Sequence, residues 1–376
     1  MDGTGKYSTA RARWAGMGPY FAMFPSAFAD KVVAEYSARG ETVLDPFAGR
    51  GTALFSAATT GRNAIGIEIN PVGWIYCKTK LNPAPKEFVL DRIAEVESRA
   101  AEFVEQSKKL PPFFHRCFSS KVLQFLVCAR SALDWRTSDV DRTAMAFLLI
   151  HLHGKSTDSL SNQMRQAKAM SPRYAIKWWR ERKLGPPKVA PLEFFEKRLR
   201  WRYAKGTPDA SRSVVLYGDS APLIAELEQA RKGARLPRPS LLLTSPPYFG
   251  ITDYHYDQWI RLWLLGGPPT DHRTKTEIRG KHRDKFSNFG VYGELLSAVF
   301  ASSAKMLRED AVVYVRSDRR EPTRSLIREV LKKTFPSHEL RSVIRPITDQ
   351  TQTRLFGHHA PRSGEIDFIL TRANGG

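Results

Sequence analysis

The sequence predicts an α/β protein with a Rossmann-like sheet and a helical insertion. Three observations support this prediction. Short apolar runs, typical of buried strands, end in glycine, proline or polar residues. A glycine-containing turn joins the first of these runs to a helix of small residues, as in nucleotide-binding units. The central residues 81–211 instead show helical periodicity, which indicates a folded helical insertion and not a linker. Within this insertion, the apolar spacing over 86–109 predicts one amphipathic helix.

The first strand-to-helix turn has the features of a ligand-binding loop. A strand is predicted over 42–44 and a helix over 53–60, and the turn Asp45–Thr52 joins them. Its glycines let the backbone approach a ligand closely. A second strand, 63–67, ends in Glu68, whose carboxylate is placed to accept hydrogen bonds from both hydroxyls of a ribose. The candidate cofactor-binding residues here are Asp45, Pro46, Phe47, Ala48, Gly49, Gly51, Thr52, Glu68, Ile69 and Asn70.

The most informative stretch follows the apolar run 240–243, which predicts a buried strand. The oxygens of Ser245 and Pro246 can accept hydrogens from an exocyclic amino group, a poor nucleophile whose lone pair is delocalised into its ring. Pro247 adds no competing N–H, and Tyr248 offers a ring to stack on a base flipped out of a duplex. The alternative is a simple strand-ending turn. The candidate catalytic residues are Ser245, Pro246, Pro247 and Tyr248.

These segments together resemble the amino-methyltransferase family, the S-adenosylmethionine-dependent enzymes that methylate adenine N6 or cytosine N4, mostly in DNA. The family's cofactor loop resembles Asp45–Thr52, its ribose acid matches Glu68, and its catalytic tetrapeptide matches Ser245–Tyr248, a TSPPY-type motif. The resemblance implies S-adenosylmethionine as cofactor and a Rossmann-like methyltransferase sheet of seven strands. Serine at the first tetrapeptide position is commoner among cytosine-N4 members, which favours that target over adenine N6.

Two further motifs extend the resemblance. Phe24 and Pro25 resemble the family's upstream cofactor-flanking motif, and Asp219 and Ser220, after a predicted strand at 214–217, resemble the motif on the adenine side of the cofactor. We therefore add these four residues to the cofactor-binding set.

The resemblance covers roughly residues 17–80 and 212–371, so that the middle of the chain has no counterpart in it. We predict an N-terminal part of the methyltransferase domain over 1–80, a basic helical insertion over 81–211, and the C-terminal part with the catalytic strand over 212–376. The cofactor loop precedes the catalytic strand, unlike the family's frequent permuted order. The insertion precedes the Asp219 motif, which leaves the location of the target-recognition region open, with 81–211 the first candidate.

The charge balance indicates a polyanionic partner. The 376 residues carry a net charge of +21, with a pI near 10.0, and nucleic acid is the natural counterpart. No apolar run approaches the roughly 18 residues of a membrane-spanning helix, and no signal-peptide core is visible, so we predict a cytoplasmic, nucleoid-associated protein. The three cysteines lack metal-ligand spacing, so we predict neither a metal site nor a disulfide.

Residues 165–205 concentrate lysine and arginine among tyrosines and tryptophans, a mixture suited to phosphate contact and base stacking. The alternative is a solvated helix face whose aromatic side chains pack on the core. A second polar, basic segment spans 268–288. The candidate nucleic-acid-binding residues are Arg173, Lys177, Arg180, Arg182, Arg198, Arg200, Arg202, Arg279, Lys281 and Arg283.

The function that these observations favour is methylation of cytosine N4 in double-stranded DNA. Adenine N6 in DNA, an RNA base, and a non-catalytic nucleic-acid-binding module are the alternatives. Methylation of a protein amide is disfavoured by the strong positive charge. A cognate restriction endonuclease is a candidate partner, whereas the sequence indicates neither a recognition site nor an oligomeric state.

Overall fold

A computed structural model describes residues 5, 7–20, 25–210, 212–234, 237–250, 253–271, 288–345 and 364–373. The chain divides into two compact units. The helical unit consists of residues 1–19, 78–208 and 254–283, and the sheet unit consists of residues 20–77, 209–253 and 284–376. The catalytic and cofactor motifs all belong to the sheet unit.

The sheet unit contains a seven-stranded sheet, which confirms the predicted fold class. The strand order is β3-β2-β1-β4-β5-β7-β6. Strands β1 to β5 pair in parallel, and β7 is antiparallel to both of its neighbours. The strands are β1 (Thr42–Asp45), β2 (Asn63–Glu68), β3 (Ser213–Tyr217), β4 (Leu241–Thr244), β5 (Val312–Asp318), β6 (His338–Arg345) and β7 (Glu365–Arg372).

Fifteen α-helices lie within the described residues, together with a 3-10 turn at Ala100–Phe103. They are α1 (Ala10–Ala15), α2 (Ser26–Tyr36), α3 (Thr52–Ala58), α4 (Pro71–Leu81), α5 (Lys86–Ser98), α6 (Val104–Lys108), α7 (Pro112–Cys117), α8 (Ser120–Ala132), α9 (Asp139–His151), α10 (Pro172–Glu181), α11 (Pro191–Tyr203), α12 (Ser220–Ala234), α13 (Tyr254–Leu264), α14 (Phe289–Met306) and α15 (Thr323–Thr334).

The sheet core explains why the central strands are continuous apolar runs in the sequence. Every residue of β1 and of β4 is buried, as expected for parallel strands covered on both faces. Leu44, Leu242 and Val313 from three adjacent strands belong to one apolar cluster, which Phe300 of α14 and Leu331 of α15 complete. This packing fixes the positions of the strand ends that carry the motifs.

The helical unit has a core of aromatic rings. The ring centroids of Phe113 and Trp259 lie 4.8 Å apart, and those of Phe114 and Trp263 lie 4.4 Å apart. Trp179 of α10 is 1% exposed and donates its indole N–H to the Gln163 carbonyl at 2.6 Å. The packing of Trp179 inside the unit therefore follows the alternative interpretation of the aromatic-rich segment.

One helix prediction was wrong. The apolar periodicity over 86–109 predicted one continuous helix, but α5 ends at Ser98, and the 3-10 turn and α6 follow it. At the break, Arg99 has φ −92° and ψ −2°, and the Ser98 hydroxyl donates to the Glu95 carbonyl at 2.8 Å. Periodicity alone misses such a break, because a tight turn of this kind keeps the apolar residues on the buried side.

No helix within the described residues is long and apolar enough to cross a bilayer.

Candidate active site

The cofactor turn and the catalytic tetrapeptide leave the sheet from neighbouring strands. Strands β1 and β4 pair in parallel, with Leu44 opposite Leu242, so their carboxyl ends lie at the same edge. The Thr244 hydroxyl donates to Asp45 Oδ1 at 2.6 Å, and both side chains are buried. This hydrogen bond joins the residue that begins the turn to the residue that precedes Ser245. Because ligands of open α/β sheets bind outside the carboxyl ends of the strands, the two motifs occupy the expected location.

The cofactor turn requires glycine at two positions. Gly49 has φ +54° and Gly51 has φ +74°, a region that side chains rarely adopt. A Cβ atom on Gly51 would overlap the Cys77 sulfur, so the turn is packed tightly on α4. Arg50 between them is 9% exposed, and burial lowers its pKa to about 10. The sequence did not indicate this arginine as a cofactor residue, because a cation inside a glycine turn gives no separate signal.

Glu68, the predicted ribose acid, is hydrogen-bonded to the same turn. Its carboxylate accepts hydrogen bonds from the backbone N–H of Gly49 at 2.5 Å and of Asn70 at 2.8 Å. A Cβ atom on Gly73 of α4 would lie 2.8 Å from the Gly49 oxygen and 3.1 Å from Glu68 Cγ. A carboxylate has about four lone-pair positions, so Glu68 keeps capacity for hydroxyl donors.

The motif after β3 contacts the cofactor turn directly. Ser220, the first residue of α12, donates its hydroxyl to the Pro46 carbonyl at 2.5 Å. The Gly218 N–H donates to the Glu68 carbonyl at 3.1 Å, and Asp219 Oδ1 accepts from the Ala221 N–H at 3.2 Å. The structure thus brings together the ends of β1, β2 and β3, which hold the central part of the cofactor set.

The upstream motif lies at the start of α2. Phe24 is outside the described residues. Pro25 precedes α2, and its carbonyl accepts from the Phe28 N–H at 3.1 Å. Asp30 of the same helix accepts from the Ser56 hydroxyl of α3 at 2.6 Å, which fixes α2 against the helix that follows the cofactor turn.

Burial controls the electrostatics of the cofactor side. It raises the pKa of Asp45 to about 7, against the opposing hydrogen bonds from Thr244 and the Phe47 N–H. Burial likewise raises the pKa of Glu68 to about 7, and the charge of Asp45 adds to the effect. Among the described residues, no lysine or arginine forms an ion pair with either carboxylate. Two uncompensated acceptors beside a glycine turn fit a ligand that has hydroxyl donors and positive charge.

The catalytic tetrapeptide is largely enclosed. Ser245 and Pro247 are partly buried, Pro246 is buried, and Tyr248 is 1% exposed. The Tyr248 hydroxyl donates to Glu365 Oε1 at 3.4 Å. Burial raises the pKa of the phenol well above its ordinary value, and the charge of Glu365 adds to this effect. The role of Tyr248 as a stacking ring stays a prediction.

A buried polar cluster on β5 and β7 adjoins the tetrapeptide. Arg316 is 3% exposed and binds Asp367 with two hydrogen bonds, of 2.6 and 2.9 Å, while its Nη1 lies 3.4 Å from Glu365 Oε2. Arg345 and Tyr314 donate to the same Asp367, at 2.7 and 2.8 Å. Burial would raise the pKa of Asp367, but the hydrogen bonds and charge of Arg316, with Arg345, hold it below the usual value. Sequence reasoning missed this cluster, because only the pairing of β5 with β7 reveals it.

The predicted nucleic-acid-binding residues divide by exposure. Arg173, Lys177 and Arg180 on α10, Arg182 just after it, and Arg200 on α11 are exposed. Arg198 is partly buried, with its guanidinium 3.2 Å from the centroid of the Phe194 ring. Arg202 is 9% exposed and donates to the Arg13 carbonyl. Its guanidinium is therefore buried within the helical unit and is not a surface cation. The remaining three predicted residues, Arg279, Lys281 and Arg283, lie outside the described residues.

The described residues contain no group of three or more histidine, cysteine, aspartate or glutamate side chains arranged to hold a metal ion. The cysteines Cys77, Cys117 and Cys128 are buried free thiols.

Comparison with known proteins finds similarity in the N-terminal part of the chain. The family model described as DNA methylase (N6_N4_Mtase) matches residues 3–73, which include the cofactor turn and Glu68. The type II methyltransferase M.MthZI of Methanothermobacter thermautotrophicus is 37% identical over 75 residues, 19% of this chain and 21% of that protein. The type II methyltransferase M.BsoBI of Geobacillus stearothermophilus is 35% identical over 78 residues, 20% of this chain and 14% of that protein. The chain therefore spans about a fifth or less of the length of these relatives.

Solved structures include two distant likenesses. The rRNA methyltransferase aviRa from Streptomyces viridochromogenes aligns with 96% of this chain and 89% of its own, at 13% identity and a TM-score of 0.35. TrmN from Thermus thermophilus aligns with 93% of this chain and 49% of its own, at 10% identity and a TM-score of 0.34. The sequence matches lie in the N-terminal part of the chain, which is similar over residues 3–73 to the DNA methylase family model and over 75 to 78 residues to the two type II methyltransferases.

Proposed function

We propose that the protein transfers a methyl group from S-adenosylmethionine to the exocyclic amino group of a base in double-stranded DNA, with cytosine N4 as the preferred target. The observation that carries this proposal is the hydrogen bond of 2.6 Å between Thr244 and Asp45. It joins the strand that ends in the cofactor turn to the strand that ends in the acceptor tetrapeptide, which is the juxtaposition that a transfer between two bound groups requires.

The residues that would hold the cofactor are those of the glycine turn Asp45–Thr52, with Glu68 as acceptor for the ribose hydroxyls and Asp219 near the adenine. The bound cofactor supplies an electrophilic methyl group. Asp45 and Glu68 offer negative charge in a buried environment, where a positively charged ligand is favoured. The glycines allow the positive φ angles of the turn and, at Gly51, its close packing on Cys77 of α4.

The tetrapeptide would orient the target amine. The Ser245 hydroxyl oxygen and the Pro246 carbonyl accept the two amino hydrogens, which turns the nitrogen lone pair away from the ring plane and toward the methyl group. This is catalysis by positioning and electrostatics, and no covalent enzyme intermediate is involved. The methyl–nitrogen bond would form as the methyl–sulfur bond breaks, and the methylated amine would release one proton to solvent. A base in a duplex has to leave the stack before its amino group reaches these acceptors.

The charge of the chain supports a nucleic-acid substrate. Arg173, Lys177 and Arg180 are exposed on α10 and form a cationic face of the helical unit. We propose that this face binds the phosphate backbone. Replacing all three residues by glutamine should then weaken DNA binding and reduce the slope of log affinity against log salt by roughly 0.9 for each phosphate that is no longer neutralised. Lys108→Gln with Lys121→Gln, at exposed positions on other helices, is the matched control. An unchanged slope in the α10 variant would mean that these three side chains do not bind phosphates.

The decisive experiment incubates the protein with methyl-labelled cofactor and separate DNA, RNA and protein substrates. We expect label in DNA, and digestion to nucleosides followed by mass spectrometry should give N4-methylcytosine. N6-methyladenine would keep the reaction class and change the target. Label confined to RNA or protein, or no label at all, would contradict the proposal.

Two variants test the assignment of the tetrapeptide. Ser245→Ala and Tyr248→Ala should abolish labelling while cofactor binding, measured by calorimetry, stays nearly unchanged. Ser325→Ala on α15 is the matched control, since Ser325 is outside the tetrapeptide and hydrogen-bonds to Glu321 at an exposed position. Full activity in either tetrapeptide variant would refute the assigned pocket.

RNA is the second candidate substrate, and one observation favours it. Tyr174 on α10 is 58% exposed beside the exposed cations of that helix, which suits stacking on unpaired bases. The salt dependence separates the two cases, because each phosphate contact contributes a slope of about −0.9 on duplex DNA and about −0.7 on a single strand. Tyr174→Ala should weaken binding to single strands selectively if RNA is the substrate.

A further inference from the structure

The phenol of Tyr248 connects the tetrapeptide to the start of β7. Its hydroxyl lies 3.4 Å from Glu365 Oε1 in a buried environment, with Tyr248 1% and Glu365 0% exposed. Glu365 pairs with Asp318 in the β5–β7 register, so the carboxylate lies at the edge where β5 ends. In the sequence the two residues are 117 positions apart, and only the fold brings them together.

The hydrogen bond has a defined direction. A carboxylate has no proton to give, so Tyr248 donates to Glu365. Because Tyr248 is the last residue of the tetrapeptide, a phenol held by this bond also holds the end of the segment that begins at Ser245.

Glu365 is itself held in place by its neighbours. Its Oε2 lies 3.4 Å from Arg316 Nη1, and Arg316 is fixed by the two hydrogen bonds to Asp367. The guanidinium carbon of Arg316 also lies 3.4 Å from the centroid of the Phe28 ring. A carboxylate constrained in this way gives the phenol one acceptor in one position.

We propose that Glu365 is a positioning residue for methyl transfer, which acts through the Tyr248 phenol to hold the tetrapeptide in place for the target amine. This inference rests on the proposed function and deepens it, because it adds a residue of β7 to the segment that follows β4. Glu365 itself does not touch the substrate.

The test is a double-mutant cycle on the methylation rate. In Glu365→Gln a neutral amide replaces the carboxylate that accepts from the phenol, and in Tyr248→Phe the hydrogen bond is absent. Each change should lower kcat by about tenfold or more, with the KM for DNA and the Kd for the cofactor changed by less than about threefold. The double variant should be no slower than the slower single variant, because both changes act on the same hydrogen bond. Additive losses, or a loss expressed in KM alone, would overturn the proposal.

Glu228→Gln is the matched control. Glu228 is also a buried glutamate of the sheet unit, 5% exposed, but its partners are Arg231 at 2.6 Å and Arg238 at 3.4 Å rather than the tetrapeptide. Its kcat should stay within about threefold of the wild type, even where its thermal stability falls. If that variant does not fold, Glu321→Gln, which removes the carboxylate that pairs with Arg324, serves instead. A control that loses kcat as strongly as Glu365→Gln would reduce Glu365 to a structural role.

The two proposals fail in different ways. A wild-type protein that methylates no nucleic acid overturns both. An active wild type whose Glu365→Gln variant keeps its kcat overturns the positioning role alone.

Discussion

Two pairs of buried carboxylates lie along the same edge of the sheet, and their surroundings are opposite. On the cofactor side, Asp45 and Glu68 accept hydrogen bonds from a hydroxyl and backbone N–H groups, and burial raises the pKa of each to about 7. On the catalytic side, Glu365 and Asp367 face the buried Arg316, and the pKa of Asp367 is held below its usual value. Among the described residues, the carboxylates of the cofactor side form no ion pair, whereas those of the catalytic side pair with Arg316.

The difference teaches what each side is prepared to bind. Charged groups are costly to bury without a partner, so the cofactor side gains most from a ligand that brings positive charge. The catalytic side has its own cation, Arg316, which agrees with the neutral base that we propose as its target. Their pH responses are opposite as well. Raised pKa values of Asp45 and Glu68 mean that their contribution to stability is lost as pH rises toward and through about 7, whereas the contribution of Asp367 is present above its unfolded pKa and lost in acid.

The strongest way to break the comparison is to remove the cation of the catalytic side. Arg316→Met would leave Glu365 and Asp367 buried with little compensation, and we expect the free energy of unfolding to fall by about 3–5 kcal/mol. Urea denaturation measures this loss. Lys108→Gln, at an exposed ion pair with Glu105, should change stability by no more than about 0.5 kcal/mol. A loss below about 1 kcal/mol for Arg316→Met would mean that the catalytic carboxylates do not depend on this arginine.

A steric change tests the cofactor side without altering its charge. In Gly73→Ala the new Cβ atom would lie 2.8 Å from the Gly49 oxygen and 3.1 Å from Glu68 Cγ. The turn has to move, at a cost of about 1–3 kcal/mol, so we expect the Kd for S-adenosylmethionine, measured by calorimetry, to rise at least about tenfold. Gly233→Ala on α12 is the control, since a Cβ atom there meets nothing within 4 Å. Equal cofactor affinity in the two variants would place the cofactor elsewhere.

The pKa values give a third test. A carboxyl with a pKa of about 7 is roughly 10% ionised at pH 6 and roughly 90% at pH 8. If a cationic cofactor binds the ionised form, its affinity should increase by up to about tenfold across this interval. Asp45→Asn or Glu68→Gln should flatten the dependence, and Asp367→Asn on the catalytic side should leave it unchanged. The variants are essential controls because the amine of the cofactor also titrates in this range. A pH dependence that survives in all three variants would belong to the ligand.

The sequence was sufficient for the sheet and for the residues that form its edge. The strands β1 to β4 were predicted from short runs in the sequence, and the signal is most continuous for the central parallel strands, which are buried on both faces. The acids at the ends of β1 and β2 and the tetrapeptide after β4 were predicted from local patterns, since each lies directly after its strand. Thr244, whose hydroxyl joins two of these motifs, has no signal in the sequence beyond its place at the end of β4.

The rest depends on contacts between distant parts of the chain. No local pattern connects Glu365 with Tyr248 or Arg316 with Asp367, because their proximity comes from the pairing of β5 with the antiparallel β7. The sequence also did not show which arginines of α11 are exposed and which are buried. Arg200 and Arg202 differ only in which helix face they occupy, and the packing of Trp14 and Trp201 decides which of them is enclosed.

The smallest expected effect concerns one hydroxyl of the cofactor side. Ser220→Ala removes the hydrogen bond of 2.5 Å to the Pro46 carbonyl and should cost about 1 kcal/mol of stability. Ser303→Ala is a close control, since Ser303 is also buried in the sheet unit and donates to the Val299 carbonyl at 2.8 Å. Denaturation should show similar losses for both, whereas calorimetry should show a severalfold weaker cofactor only for Ser220→Ala. If both variants bind the cofactor equally well, the Ser220 hydroxyl supports the fold alone, and the cofactor side extends no further than the ends of β1 and β2.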